Sequence, residues 1–225
     1  MGEMVRFPSN GTEAEGYLAK PASGSGPGVV VIQEWWGLND NIKDIAERLA
    51  AEGYVALAPD LYRGKMTAEP DQAMKLMMGM NAGQAAKDMS GAVDYLVSLD
   101  AATGDKVGSI GFCMGGGLSL YLATLRPQVG ACVVYYGVLP AQRPDLSKLQ
   151  GAVLGHYAEN DAFASPASAR ELESQLKELG KDVEFHIYPG TEHGFFNDTR
   201  SEVHKPDPSK QAWERTLAFY KKHLG

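Results

Sequence analysis

Gly111-Phe112-Cys113-Met114-Gly115-Gly116 directly follows Lys106-Val107-Gly108-Ser109-Ile110, and the junction of these two runs decides how the chain reads. The first run has the β-branched, apolar character of a strand, and a helix pattern begins at Gly116. Between them the spacing matches a nucleophile elbow, G-x-S-x-G, with cysteine in the serine's place. Such an elbow is a sharp strand-to-helix turn that holds its central residue in a strained backbone conformation and thrusts the side chain outward. The positions two before and two after must be small, because a Cβ there would strike the neighbouring turn. The following helix turns its positive end toward the sulfur, which favours thiolate chemistry. With 26 glycines in 225 residues, a cysteine meets glycine at both positions by chance about once in 75, so a buried cysteine in a glycine-rich chain is the competing reading.

Strand and helix signals alternate outward from this point. Glu15–Lys20 reads as an early antiparallel strand and Gly28–Ile32 as a central strand covered on both faces. Ser23-Gly24-Ser25-Gly26-Pro27-Gly28 is a turn between them rather than a linker. Ile42, Ile45, Ala46 and Leu49 have helical spacing, closed by Gly53, and Tyr54–Ala58 is a strand stopped by Pro59. Helices are expected around Gln72–Met80, Gln84–Leu99, Gly116–Leu125, Ser165–Leu179 and Lys210–Leu224, with strands at Ala131–Tyr136, Ala152–Tyr157 and Val183–Tyr188. This alternation predicts one α/β domain over residues 1–225, a mostly parallel central sheet with helices on both faces. Active sites of such sheets gather at the carboxyl ends of the strands.

A cysteine on an elbow needs a histidine base and an acid to orient it, following in the order nucleophile, acid, histidine. Of five histidines, His186 lies mid-strand, His204 and His223 fall in polar or terminal segments, and His156 sits inside a strand end. His193 alone follows the last strand through a Pro189-Gly190 turn, and is the expected base. Asp161, between a strand and the helix beginning near Pro166, is the expected acid, with an N-cap or turn aspartate as the alternative. Glu159 is a weaker rival, and Asp198 comes after the histidine. Cys113, Asp161 and His193 stand 48 and 32 residues apart, enough for the intervening elements. Glu34 ends the second central strand ahead of Trp35-Trp36-Gly37, where hydrolases of this fold supply an oxyanion-hole N–H. The backbone N–H groups of Met114 and Trp35 are therefore the expected oxyanion hole, each such donor contributing roughly 3–4 kcal/mol to a transition state.

Bulk properties narrow the function classes. Hydrophobic residues at 44% and charged residues at 22% suit a globule with a full core. A net charge of −7 argues against nucleic acid or an anionic membrane as partner. No apolar run reaches transmembrane length and the N-terminal residues have no signal-peptide core, so a cytoplasmic monomer acting on a small molecule is expected. Cys113 and Cys132 make no disulfide framework, and neither has a metal-ligand companion at CxxC spacing.

With these residues in place, the chain resembles the dienelactone hydrolase family of the α/β-hydrolase fold, from about Val5 to His223. The resemblance rests on Gln33-Glu34-Trp35-Trp36-Gly37, Pro59-Asp60-Leu61-Tyr62, the elbow, Asp161 and His193-Gly194-Phe195. It implies a Cys-Asp-His triad with no cofactor or metal, acting on esters or lactones. It also implies that Glu34 contacts the resting thiol and helps take its proton when substrate arrives.

The chain departs from the family's type members at the substrate. Two arginines that grip a carboxylate there align with Pro70 and Asn197, neither of which is expected to pair with an anion. Arg63 is a candidate substitute, with a solvated loop residue as the alternative. Met74 and Met77 stand where the type members carry aromatic residues over the pocket, and with Met78 they share a helix face suited to packing on the sheet. Together with Trp36, Phe195, Phe196 and Asn197, they predict a more apolar, less anion-selective pocket. Three alternatives stay open: a broad carboxylesterase on neutral esters, phosphotriester hydrolysis by the same elbow, and a noncatalytic ligand-binding or redox-sensing relative.

Overall fold

Eight strands form one sheet in the order β1-β2-β4-β3-β5-β6-β7-β8, in a computed structural model that describes residues 2–9, 11–140 and 143–225. The strands are β1 (Glu3–Ser9), β2 (Thr12–Ala19), β3 (Gly26–Ile32), β4 (Val55–Pro59), β5 (Ala102–Phe112), β6 (Val129–Tyr135), β7 (Ala152–Asn160) and β8 (Val183–Glu192). The helices are α1 (Asp40–Ala51), α2 (Pro70–Gly79), α3 (Ala82–Ser98), α4 (Met114–Leu125), α5 (Pro166–Glu178) and α6 (Pro206–Leu224). β1 pairs antiparallel with β2, and β2 antiparallel with β4; every pairing from β4 to β8 is parallel. The fold is a single-domain α/β fold with a mostly parallel sheet, as the alternation of signals predicts.

The parallel centre needs cover on both faces, and its sequence reflects this: Val29, Val30, Val31 and Ile32 of β3 are all fully buried. α1 and α6 share one face, where Arg48 of α1 meets Trp213 of α6, while α3 and α4 pack on the other. Asn39 caps α1, its side chain accepting from the Ile42 N–H, and Ile42, Ile45, Ala46 and Leu49 form the buried stripe. β1 escapes the sequence reading because Glu3–Ser9 is an edge strand with a largely polar, exposed pattern. α6 starts at Pro206, four residues before the first expected position, because a proline is well suited to the first helical turn.

α2 departs from expectation. Only its Ala73 is buried, Met78 is 78% exposed and Met74 is 42% exposed, so the methionine face does not pack down on the sheet as a whole. Met77 and Leu76 alone among its long apolar residues reach the core.

The elbow is built by close backbone approach. A Cβ on Gly111 would lie 1.9 Å from the Gly115 carbonyl oxygen, and one on Gly115 would lie 2.3 Å from that of Gln33. Neither position can carry a side chain without moving the turn. The second contact also draws the end of β3 and the Gln33–Gly37 loop against the first turn of α4, which assembles the site described next.

Candidate active site

Cys113 occupies the turn between β5 and α4 with φ 54° and ψ −119°, a conformation that non-glycine residues rarely adopt. Its own N–H donates to the Tyr135 carbonyl at 3.0 Å, and its carbonyl accepts from Gly116 and Val138, each at 3.0 Å, so the strain is held from three sides. The thiol is partly exposed, whereas Cys132 is fully buried beside Ser119 and its thiol is pushed up to about 11, chiefly by burial. Met114 is the first residue of α4, so its N–H has no partner within the helical ladder.

His193 lies just past β8, and its Nδ1 donates to Asp161 Oδ2 at 2.7 Å. The other oxygen, Oδ1, accepts from the backbone N–H groups of Phe163 (2.8 Å) and Ala164 (2.9 Å), which locks the carboxylate in the loop after β7. Burial alone would lower the imidazolium's pKa, but the hydrogen bond to Asp161 and the influence of the neighbouring Cys113 outweigh it and push it up to about 10. Burial works against the Asp161 carboxylate in turn, and the same histidine with two N–H donors holds it below the usual range. Thus Asp161 is hydrogen-bonded to His193, and His193 lies within electrostatic reach of Cys113, although the three are far apart in the chain.

Glu34 is buried beside them. Asn197 Nδ2 donates to its Oε2 at 3.0 Å and the Tyr136 hydroxyl donates to its Oε1 at 3.4 Å. Burial raises its pKa, against the lowering influence of Asn197, His193 and Arg200. Its hydrogen bonds thus run to Asn197 and Tyr136, where the resemblance implies contact with the resting thiol. The Gly37 N–H closes a turn onto the Glu34 carbonyl at 3.3 Å, and Thr67 N–H donates to Trp36 at 3.0 Å, so the loop carrying Trp35 is pinned at both ends. Among the described residues no three histidine, cysteine or carboxylate side chains converge to hold a metal ion. No helix among them is long and apolar enough to cross a membrane.

The dienelactone hydrolase family model matches residues 14–224, which takes in the elbow and every element around it. The chain belongs to the dienelactone hydrolase family. The Aquifex pyrophilus protein named usf is 39% identical to it, and the match covers all of both chains. An Aquifex aeolicus protein provisionally named a carboxymethylenebutenolidase is 34% identical, again over the whole of both chains. Among solved structures, a provisional dienelactone hydrolase from Klebsiella pneumoniae superposes with a TM-score of 0.90 at 27% identity, covering 99% of each chain.

Against the family pattern, several expected pocket residues have other placements. Phe195 and Phe196 are 0% and 2% exposed and belong to the core: Phe195 packs on Tyr136 and Tyr188, Phe196 on Phe112 and Tyr135. Closed over by these rings, the two phenylalanines leave almost no surface for a substrate to touch. Asn197 is also buried, and it does pair with an acid, donating to Glu34 rather than facing a substrate. One terminal nitrogen of Arg63 donates to both oxygens of the buried Asp88 at 2.8 and 2.9 Å and the other to the Glu13 carbonyl, so both are engaged within the fold. Trp35 and Trp36 are half-buried and meet edge to face at 4.9 Å. Met74 is exposed and Met77 half-buried on α2.

Two aromatic residues at the site escape the sequence reading. Tyr136 is fully buried with φ 38°, its ring edge-on to His193 at 5.0 Å and its hydroxyl on Glu34. Burial, then the neighbouring Glu34, raises its pKa well above the ordinary tyrosine value, which keeps the hydroxyl a donor. Its position just past the end of the strand adjoining β5 was the available signal. Phe163 is 75% exposed and stands 5.4 Å from the His193 ring, on the loop that Asp161 organises.

Proposed function

We propose that this family member hydrolyses carboxylic esters or lactones through a thioester on Cys113. The observation that carries this reading is Cys113 on a strained elbow, with the His193–Asp161 hydrogen bond beside it. With its raised pKa, the imidazolium of His193 holds the proton given up by the Cys113 thiol, and the thiolate adds to the carbonyl carbon. The carbonyl oxygen becomes an oxyanion held by the N–H groups of Met114 and Trp35. Collapse breaks the acyl C–O bond, and His193 returns the proton to the departing alkoxide. A water molecule, deprotonated by His193, then attacks the thioester, releasing the carboxylic acid and restoring the thiol. Glu34, held by Asn197 and Tyr136 with a raised pKa, is a second proton store beside this path.

Cys113→Ala is expected to abolish turnover of p-nitrophenyl acetate; undiminished hydrolysis would remove Cys113 from the chemistry. A second reading, a carboxylesterase that needs no carboxylate on its substrate, is favoured by the engagement of Arg63 with Asp88 and of Asn197 with Glu34. A panel of lactones and esters with and without a carboxylate, run on wild type and Cys113→Ser, separates the two. A preference of tenfold or more for carboxylate-bearing lactones would overturn the second reading.

A further inference from the structure

On the face of the sheet covered by α1 and α6 lies a hollow of about 340 Å3, walled by Arg48 of α1, by Phe196, Asp198 and His204 after β8, and by Lys210 and Trp213 of α6. The Arg48 guanidinium sits over two rings, 4.6 Å from the Trp213 centroid and 5.0 Å from that of Phe196. Those rings are themselves 6.0 Å apart at 31°, so Arg48 is clamped against a preformed aromatic surface. Its carboxylate partner is loose: Asp198 stands at 4.0 Å, with both side chains substantially exposed.

Two other arginines show the contrast. Arg126 spends both terminal nitrogens on Asp94, and Arg63 spends one on Asp88 and the other on the Glu13 carbonyl. A second hollow, of about 370 Å3, is lined by Arg6, Glu13, Glu15, Asp60 and Arg63, and its arginines are already paired, Arg6 with Glu15 at 2.9 Å. In the hollow beside Trp213, by contrast, the oriented guanidinium has only the long contact to Asp198. Lys210 adds a second positive charge there, held only by Glu214 at 3.9 Å on the surface. Two cations thus face one acid in a chain whose net charge is −7.

We infer that this hollow binds a small organic carboxylate with a planar apolar body, aryl or conjugated, separately from the nucleophile. The carboxylate accepts a bidentate pair from Arg48, displacing the long contact to Asp198, and the planar body lies along Trp213. A volume of about 340 Å3 falls at the small end of ligand sites. The binding does not depend on the proposed hydrolysis, so it is tested in Cys113→Ser protein.

Benzoate is titrated into the full chain, followed by backbone and indole N–H shifts in two-dimensional NMR. Saturable shifts centred on Trp213 and residues 196–210 are expected, with benzamide, the neutral counterpart, binding at least about tenfold more weakly. Arg48→Met, which keeps apolar cover over the two rings, is expected to lose at least about tenfold in affinity. Should that variant fold poorly, Lys210→Gln on the exposed helix face carries the test, with an expected loss of about threefold. Equal binding of benzamide, benzoate affinity unchanged in either variant, shifts centred on residues 34–36 and 113, or no saturation up to roughly 10 mM would each overturn the inference.

Discussion

Asp161→Asn probes the site most sharply, because the structure dictates which way the new amide must face. Asp161 Oδ1 accepts two backbone N–H groups, from Phe163 and Ala164, at 2.8 and 2.9 Å. Turning the amide nitrogen toward them would lose both bonds, about 2–3 kcal/mol in all. The Asn carbonyl therefore stays on that side and its NH2 faces His193 Nδ1, 2.7 Å from the oxygen it replaces. Nδ1 must then accept, which moves the ring proton to Nε2 and leaves the imidazole unable to deprotonate Cys113. A substitution of this kind in a Ser-His-Asp triad lowers kcat by about 10^4. A loss of about 10^3–10^4 is expected here, or roughly 4–5.5 kcal/mol in the barrier. The assay is p-nitrophenyl acetate hydrolysis, paired with urea unfolding across pH. Asp161 is held low and His193 high, so their pairing stabilises the fold once pH exceeds about 3.9, fully up to about 6.5, and declines as pH rises through the histidine's value of about 10. The stability gap between wild type and variant should follow that window, reaching a few kcal/mol, about what a broken buried charge pair costs. A kcat within about tenfold of wild type, or a gap flat from pH 4 to 10, would refute the tautomer argument.

Two further outcomes follow from buried charge. Arg63→Met strips the partner from Asp88, whose side chain is 1% exposed, and should cost about 3 kcal/mol in urea unfolding while leaving the ratio of kcat/KM for carboxylate-bearing and neutral esters unchanged. A change in that ratio would return Arg63 to the substrate site. His156 is fully buried between Tyr188 and Thr216, and burial, then the nearby His186, holds its pKa well below the ordinary value. The unfolded chain therefore binds the proton that the fold refuses, so stability should fall as pH drops below about 6.5, by up to about 1.4 kcal/mol per unit. Calorimetry of His156→Gln between pH 7 and 5 should show a shallower slope than wild type; an identical slope would assign the acid sensitivity elsewhere.

How far the sequence reaches is clearest in the residues around Cys113. Its local rules determined the elbow, the strand–helix alternation and the order of Cys113, Asp161 and His193. The first two depend on backbone sterics or on hydrophobic period within a dozen residues, and the third on the nucleophile–acid–histidine order that such an elbow calls for. The exposed face of α2 was misread because a stripe at helical spacing reports that a face exists and not what covers it. What holds Glu34 lay beyond the sequence: Asn197 is 163 positions away and Tyr136 102, and nothing in either neighbourhood announces the pairing. Arg63 looked free for the same reason, until Asp88, 25 positions on in α3, engaged its fork. A buried polar group must find a partner, but which one is decided by the three-dimensional path of the chain. The sequence by itself thus determined which chemistry the elbow invites. Tertiary structure alone decided which charges are spent on the fold and which, as at Arg48, remain available.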